Sequence, residues 1–255
     1  MKFPVKSKLS ALYTAAARQA FQASLRNWLI FPAATGLIFI YILGFSLVSG
    51  LGLAGGFILG LLQLTMLTYL YSWFAESTDR RQPLPGREYL AFQQQLFFDI
   101  LSVAFLIYIF QWLVESLLLG LKGTEWIRAC VNMALLVLCN PLPETIYQKR
   151  IQGWAGLRFA FGFASDYFLE WFLPLLILLA PLLLIVAPAQ LLASFVSTDV
   201  LLPPAVIFSA WQTAGSTIAA SLILTLAGLF LGIWYMFFRA YLFRALESGA
   251  YKKGF

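Results

Sequence analysis

Glu115, Arg128, Asp99, Asp166 and Glu170 are ionisable residues that stand in or beside long apolar runs of this chain. A charge in such surroundings is either paired or part of a site. Glu115 lies four residues before the end of one apolar run and Arg128 three residues into the next. A hairpin would bring them to the same depth, where they form a structural ion pair or a substrate or proton site. Asp166 and Glu170, four residues apart, would share one face of a helix and could bind a cation or act as paired carboxylates. Acids at a helix start also simply complement its dipole. Asp99 has no partner in sequence, which makes it the leading single candidate for an intramembrane polar site, with Asp166 and Glu170 behind it.

Other chemistry is excluded by absence. The chain has no histidine, so it lacks the usual ligand for haem, zinc and copper, the commonest general base, and every Ser-His or Cys-His arrangement. Cys130 and Cys139 lie nine residues apart on one expected helix. Steps of about 100° put them on opposite faces, about 13 Å apart along the axis, too far to bridge. No Walker-type loop, dinucleotide fingerprint or nucleophile elbow occurs. We therefore expect no catalytic residue, cofactor or metal.

The elements that position these residues follow from composition. A chain of 255 residues that is 61% hydrophobic and 11% charged, with a mean hydropathy of +0.83, cannot coat a globule with polar side chains and needs lipid as solvent. Six apolar runs, at roughly 28–48, 54–74, 96–119, 125–146, 168–188 and 211–238, have the length that crosses about 30 Å of hydrocarbon as helix.

The basic residues set the orientation. The N-terminal arm holds Lys2, Lys6, Lys8, Arg18 and Arg26, the second connection Arg80, Arg81 and Arg87, the fourth Lys149, Arg150 and Arg158, and the C-terminal end Arg239, Arg244, Lys252 and Lys253. Lys122 and Arg128 alone fall on the other side, so both termini are expected in the cytoplasm. One-sided Lys and Arg also account for the +6 net charge without nucleic acid as a partner. Trp28, Trp73 and Trp171 fall at inner ends and Trp126 and Trp211 at outer ends, while Trp112 and Trp234 are expected to pack inside the bundle.

Residues 1–27 are too polar, and too long before the first run, for a cleavable signal. With Leu9, Leu12, Tyr13, Ala16, Ala20, Phe21 and Leu25 at helical spacing they read as a cytoplasmic amphipathic helix lying on the membrane or docking a partner. The expected divisions are 1–27 for this helix, 28–245 for six transmembrane helices in three hairpins, and 246–255 for a cytoplasmic tail. The segments 20–28, 91–99 and 160–168 each open with Ala-Phe before an outgoing helix, a pattern a threefold hairpin repeat would leave. Residues 75–90 read as an exposed loop. Residues 189–210, apolar with a single charge, read as re-entrant or surface-lying.

Small residues mark helix contacts. Gly52, Gly56 and Gly60 form one stripe, and Gly228 with Gly232 another; both would let helices approach closely within the chain or in self-association. Pro174, Pro181 and Pro188 recur every seven residues, within about 40° of one face. They would release the carbonyls of Glu170, Ile177 and Leu184 and make a hinge or a bend. Lys149, Arg150 and Arg158 beside Trp154 make an amphipathic cytoplasmic docking surface.

The stretch 141–168 with the ending "FRAYLFRALESGAYKKGF" carries a family resemblance. Pro143-Glu144 after a helix, then Gly156-Leu157-Arg158-Phe159-Ala160-Phe161 before the next, resembles bacterial membrane proteins related to the membrane domain of glycerophosphodiester phosphodiesterases. Gly156 stands where that motif has alanine. The resemblance implies a six-helix bundle with cytoplasmic interfacial segments, and no activity, because no phosphodiesterase domain is present. We expect an all-α, multi-pass protein of the bacterial inner membrane. It would be non-enzymatic and serve as scaffold or accessory subunit of a membrane complex, with a permease or lipid-handling transport subunit as the alternative. Its expected partners are the bilayer and a membrane protein, which could be a second copy.

Overall fold

The computed structural model describes residues 5–119, 124–180, 201–202 and 218–249. Among them the elements are helical: α1 (Val5–Arg26), α2 (Ile30–Val48), α3 (Gly52–Asp79), α4 (Gln94–Leu118), α5 (Glu125–Leu138), α6 (Leu142–Lys149), α7 (Gly153–Asp166), α8 (Phe168–Leu179) and α9 (Ile218–Glu247). Four stretches are long and apolar enough to cross a bilayer, Ile30–Asp79, Gln94–Leu118, Trp126–Lys149 and Leu226–Glu247, and the bent pair Gly153–Asp166 with Phe168–Leu178 makes a fifth if taken as one span. This is an all-helical membrane protein.

The first stretch doubles back on itself. A 3-10 turn, Ser49–Leu51, joins α2 to α3, and Gly52 closes it at φ +58, a conformation that favours glycine. Gly55 is the residue the turn cannot spare, since a Cβ there would stand 2.1 Å from the Val48 carbonyl oxygen. Gly44 faces Leu62 across the hairpin. At the other end, Arg26 donates to the carbonyls of Ser77 and Arg81 and Leu84 N–H to Asn27 Oδ1.

Polar contacts gather several helix ends at that same end. Arg244 of α9 donates to the Thr78 carbonyl and to Asp79 of α3, Lys149 of α6 meets Glu247 of α9 at 2.5 Å, and Arg150 donates to Gln93 before α4. Arg26, Lys149, Arg150 and Arg244 thus share one end, where each bonds to a neighbouring element. Glu115 and Arg128 lie at the far ends of α4 and α5.

Several expectations need correction. The fourth run is two helices, broken at Cys139–Pro141, where two prolines two residues apart interrupt the backbone ladder. The last helix continues to Glu247, past the end of the sixth run at 238 and two residues into the expected tail. Residues 75–79 belong to α3, with Ala75, Ser77 and Thr78 buried. Trp112 is 56% exposed, and it is Trp73 and Trp171 that are core. Gly56 and Gly60 meet nothing within 4 Å, so the Gly52–Gly56–Gly60 stripe packs no described helix. Gly228 and Gly232 border an apolar cavity of about 230 Å³ between α2, α3 and α9.

The N-terminal helix is part of the bundle. Leu12, Ala16, Ala20 and Ala23 are buried, and α1 makes its main contact with α9. Of the three Ala-Phe segments, the first and third end amphipathic helices that break before a membrane helix, at 27–29 and at Tyr167, whereas Ala91-Phe92 lies in the link before α4. The three segments therefore do not open equivalent elements. Of residues 189–210 the described pair is Leu201 and Leu202. Leu201 is buried, and its carbonyl accepts the hydroxyl of buried Tyr71 in α3.

Candidate functional site

The polar centre of the bundle lies where α6, α8 and α9 meet. Arg239 on α9 is 1% exposed and Glu144 on α6 is fully buried. The two face each other as a fork, Nε to Oε1 at 2.9 Å and Nη2 to Oε2 at 2.7 Å. Asn140, in the break between α5 and α6, accepts twice more, through Oδ1 from Nη1 at 3.0 Å and through its carbonyl from Nη2. Trp171 of α8 donates Nε1–H to the same Oδ1 at 2.8 Å. Its ring lies 4.9 Å from the guanidinium carbon, and the ring of Tyr235 lies 5.9 Å from it.

This geometry follows from the local sequence. Pro143 at the start of α6 is tolerated there, and the break turns the Asn140 carbonyl toward Arg239. Four of the five guanidinium donors are engaged, both carboxylate oxygens are bonded, and aromatic rings cover the planar faces. The centre thus engages nearly all its guanidinium donors within the chain. It works as a latch that sets α6 and α8 in register against α9.

A second layer lies next to it. Gln148 donates to the Ala240 carbonyl and accepts from Arg244 at 3.0 Å, so the polar contacts run from the buried latch to the helix ends. Phe163, Trp171 and Phe243 pack around the latch, with Phe163 and Phe243 at 4.6 Å.

The residues singled out from sequence fall elsewhere. Glu115 and Arg128 line one cavity of about 110 Å³ between α4 and α5, but both are exposed and they form no ion pair. Asp166 ends α7 and Glu170 begins α8, with an 81° bend between the helices. They do not share a helix face, because Tyr167 at φ −125 interrupts the helix. Asp99 is 2% exposed and its Oδ2 has no hydrogen-bond partner. Pro174 stands inside α8. The carbonyl it releases, that of Glu170, accepts the Tyr13 hydroxyl of α1 at 2.9 Å, so the N-terminal helix repairs the proline defect. Pro181 and Pro188 lie outside the described residues.

Within the docking surface, Lys149 is paired with Glu247 and Arg150, in a left-handed conformation at φ 56, is bonded to Gln93. Trp154 and Arg158 project outward, Trp154 with 68% of its surface exposed. Sequence reasoning missed Arg239, read as a topology marker, and Glu144, read as part of a motif. The signal was present: Ala240-Tyr241-Leu242-Phe243 continue the apolar run beyond Arg239, and a charge with apolar residues on both sides needs a buried partner.

Fold and centre together define a polytopic helical membrane protein with a closed ionic latch. No protein-family model, curated protein or solved structure matches the chain.

Proposed function

We propose that this is a non-enzymatic, six-span protein of the bacterial inner membrane with both termini in the cytoplasm, serving as scaffold or accessory subunit of a membrane complex. One observation carries the reading. The most buried ionic group, Arg239 with Glu144, is bonded further by Asn140 and flanked by Trp171 and Tyr235, so its charge is used to hold helices together. The resemblance to the membrane domain of glycerophosphodiester phosphodiesterases supports the same reading. Its Pro143-Glu144 element supplies the latch acid, a structural role.

The docking surface narrows to Trp154 and Arg158 on α7, since Lys149 and Arg150 serve internal contacts. A protein partner should copurify in stoichiometric amount after mild detergent extraction. It should be lost on combining Trp154→Ala with Arg158→Gln while the bundle keeps its melting temperature, and should survive Asp99→Asn. The transport alternative is favoured by the unpartnered Oδ2 of Asp99. It replaces the scaffold reading if the α7 pair is dispensable and Asp99→Asn abolishes a measured flux in a folded protein.

A further inference from the structure

On α7, Arg158, Gly162 and Asp166 follow one another at four-residue steps, about 6 Å per step along the axis. They line a groove of about 600 Å³ that runs beside the C-terminal end of α9, with Phe159 and Phe163 as its apolar wall and Glu247 on the far rim. Gly162 leaves the middle open, because a Cβ there would meet nothing within 4 Å. Arg158 and Asp166 are exposed, and neither makes a hydrogen bond or ion pair among the described residues. Glu247 is already bonded to Lys149.

The groove opens at the polar end of the bundle, level with the Lys149–Glu247 pair. Flanking it, Trp154, Phe168 and Leu169 expose 68%, 50% and 73% of their surfaces, as side chains do where headgroups give way to hydrocarbon. A cation at one end of an open floor and a carboxylate at the other complement a zwitterion. We propose that this groove seats the headgroup of an amine-bearing phospholipid such as phosphatidylethanolamine. Arg158 takes the phosphate, and Asp166 takes the ammonium.

The chemistry separates this lipid from its neighbours. A primary ammonium donates hydrogen bonds to carboxylates, whereas a quaternary one has no N–H to donate. An anionic headgroup without an amine would neutralise Arg158 but leave the carboxylate of Asp166 unpaired beside its own charge. The inference shares Arg158 with the proposed docking surface. Lipid binding is measured on the purified chain with no partner present, so the two readings fail separately.

Native mass spectrometry of the full, delipidated protein titrated with phosphatidylethanolamine, phosphatidylcholine and phosphatidylglycerol tests the assignment. Phosphatidylethanolamine should be retained best, and Arg158→Gln should cut its retention about tenfold, the loss expected for one charge-assisted contact. Asp166→Asn should level phosphatidylethanolamine with phosphatidylcholine, and Gly162→Leu should lower all binding by filling the floor. These positions are exposed, and an unchanged melting temperature verifies that each variant is folded. Equal retention of the three lipids by the native chain, a preference for phosphatidylglycerol, or variants that bind phosphatidylethanolamine as the native chain does would overturn the proposal.

Discussion

Removing Arg239 should cost far more than removing the whole ion pair. In Arg239→Met the carboxylate of Glu144, fully buried, loses both fork contacts, at 2.9 and 2.7 Å. Among the described residues no other hydrogen bond reaches its oxygens. A buried charge stranded in this way costs about 3–5 kcal/mol. Glu144→Gln alone should cost a similar amount, because the guanidinium, 1% exposed, then keeps only the neutral acceptors of Asn140 and the amide. The double variant Arg239→Met with Glu144→Gln removes both charges and should lie within about 2 kcal/mol of the native chain, giving a coupling energy of at least about 4 kcal/mol, above the usual range of about 0.5–3 kcal/mol. Arg239→Lys should fall between, since a point charge cannot reproduce the fork. Unfolding of the purified protein in mild detergent by denaturant measures all four. The latch account fails if Arg239→Met costs less than about 1 kcal/mol or if the double variant is as unstable as the sum of the single ones.

Two further outcomes test the hairpin and its orientation. Gly55→Ala should cost about 1–3 kcal/mol, because the new methyl meets the Val48 carbonyl and backbone must move. Gly60→Ala, in open space, should stay within about 0.5 kcal/mol; the reverse order in thermal melts would make the glycine stripe a packing surface. In a Cys130→Ser background that leaves buried Cys139, Gly50→Cys should react with an impermeant thiol reagent in intact cells. Gln82→Cys should react only after permeabilisation, and the opposite pattern would invert the proposed topology.

The N-terminal helix shows how one residue serves two purposes. Tyr13 packs against Phe238 of α9, ring centroids 6.4 Å apart, and its hydroxyl takes the carbonyl that Pro174 releases. A helix of mixed polarity is thereby fastened to the bundle through contacts that a membrane-lying helix would lack. The bend of α7 against α8 next to that point also gives α7 the angle at which its outer face forms the groove.

Helix positions at the start of the chain were legible in one dimension. The runs read at 28–48, 54–74 and 96–119 became Ile30–Val48, Gly52–Asp79 and Gln94–Leu118, because a lipid-facing helix must be apolar along its length and side-chain hydropathy records that demand. That Arg26, Lys149, Arg150 and Arg244 lie at one end was legible from their places outside the runs. The site was not. Arg239 and Glu144 are separated by 95 positions, and no local pattern tells a charge that ends a span from one that locks two helices together. Asp166 and Glu170 looked like a pair because periodicity assumes an unbroken helix, whereas the backbone breaks at Tyr167. Sequence alone determined which solvent each segment meets, since that is a property of each residue. Which polar groups meet one another was left to the packing of distant helices, where a buried donor must find an acceptor wherever the fold brings one within about 3 Å.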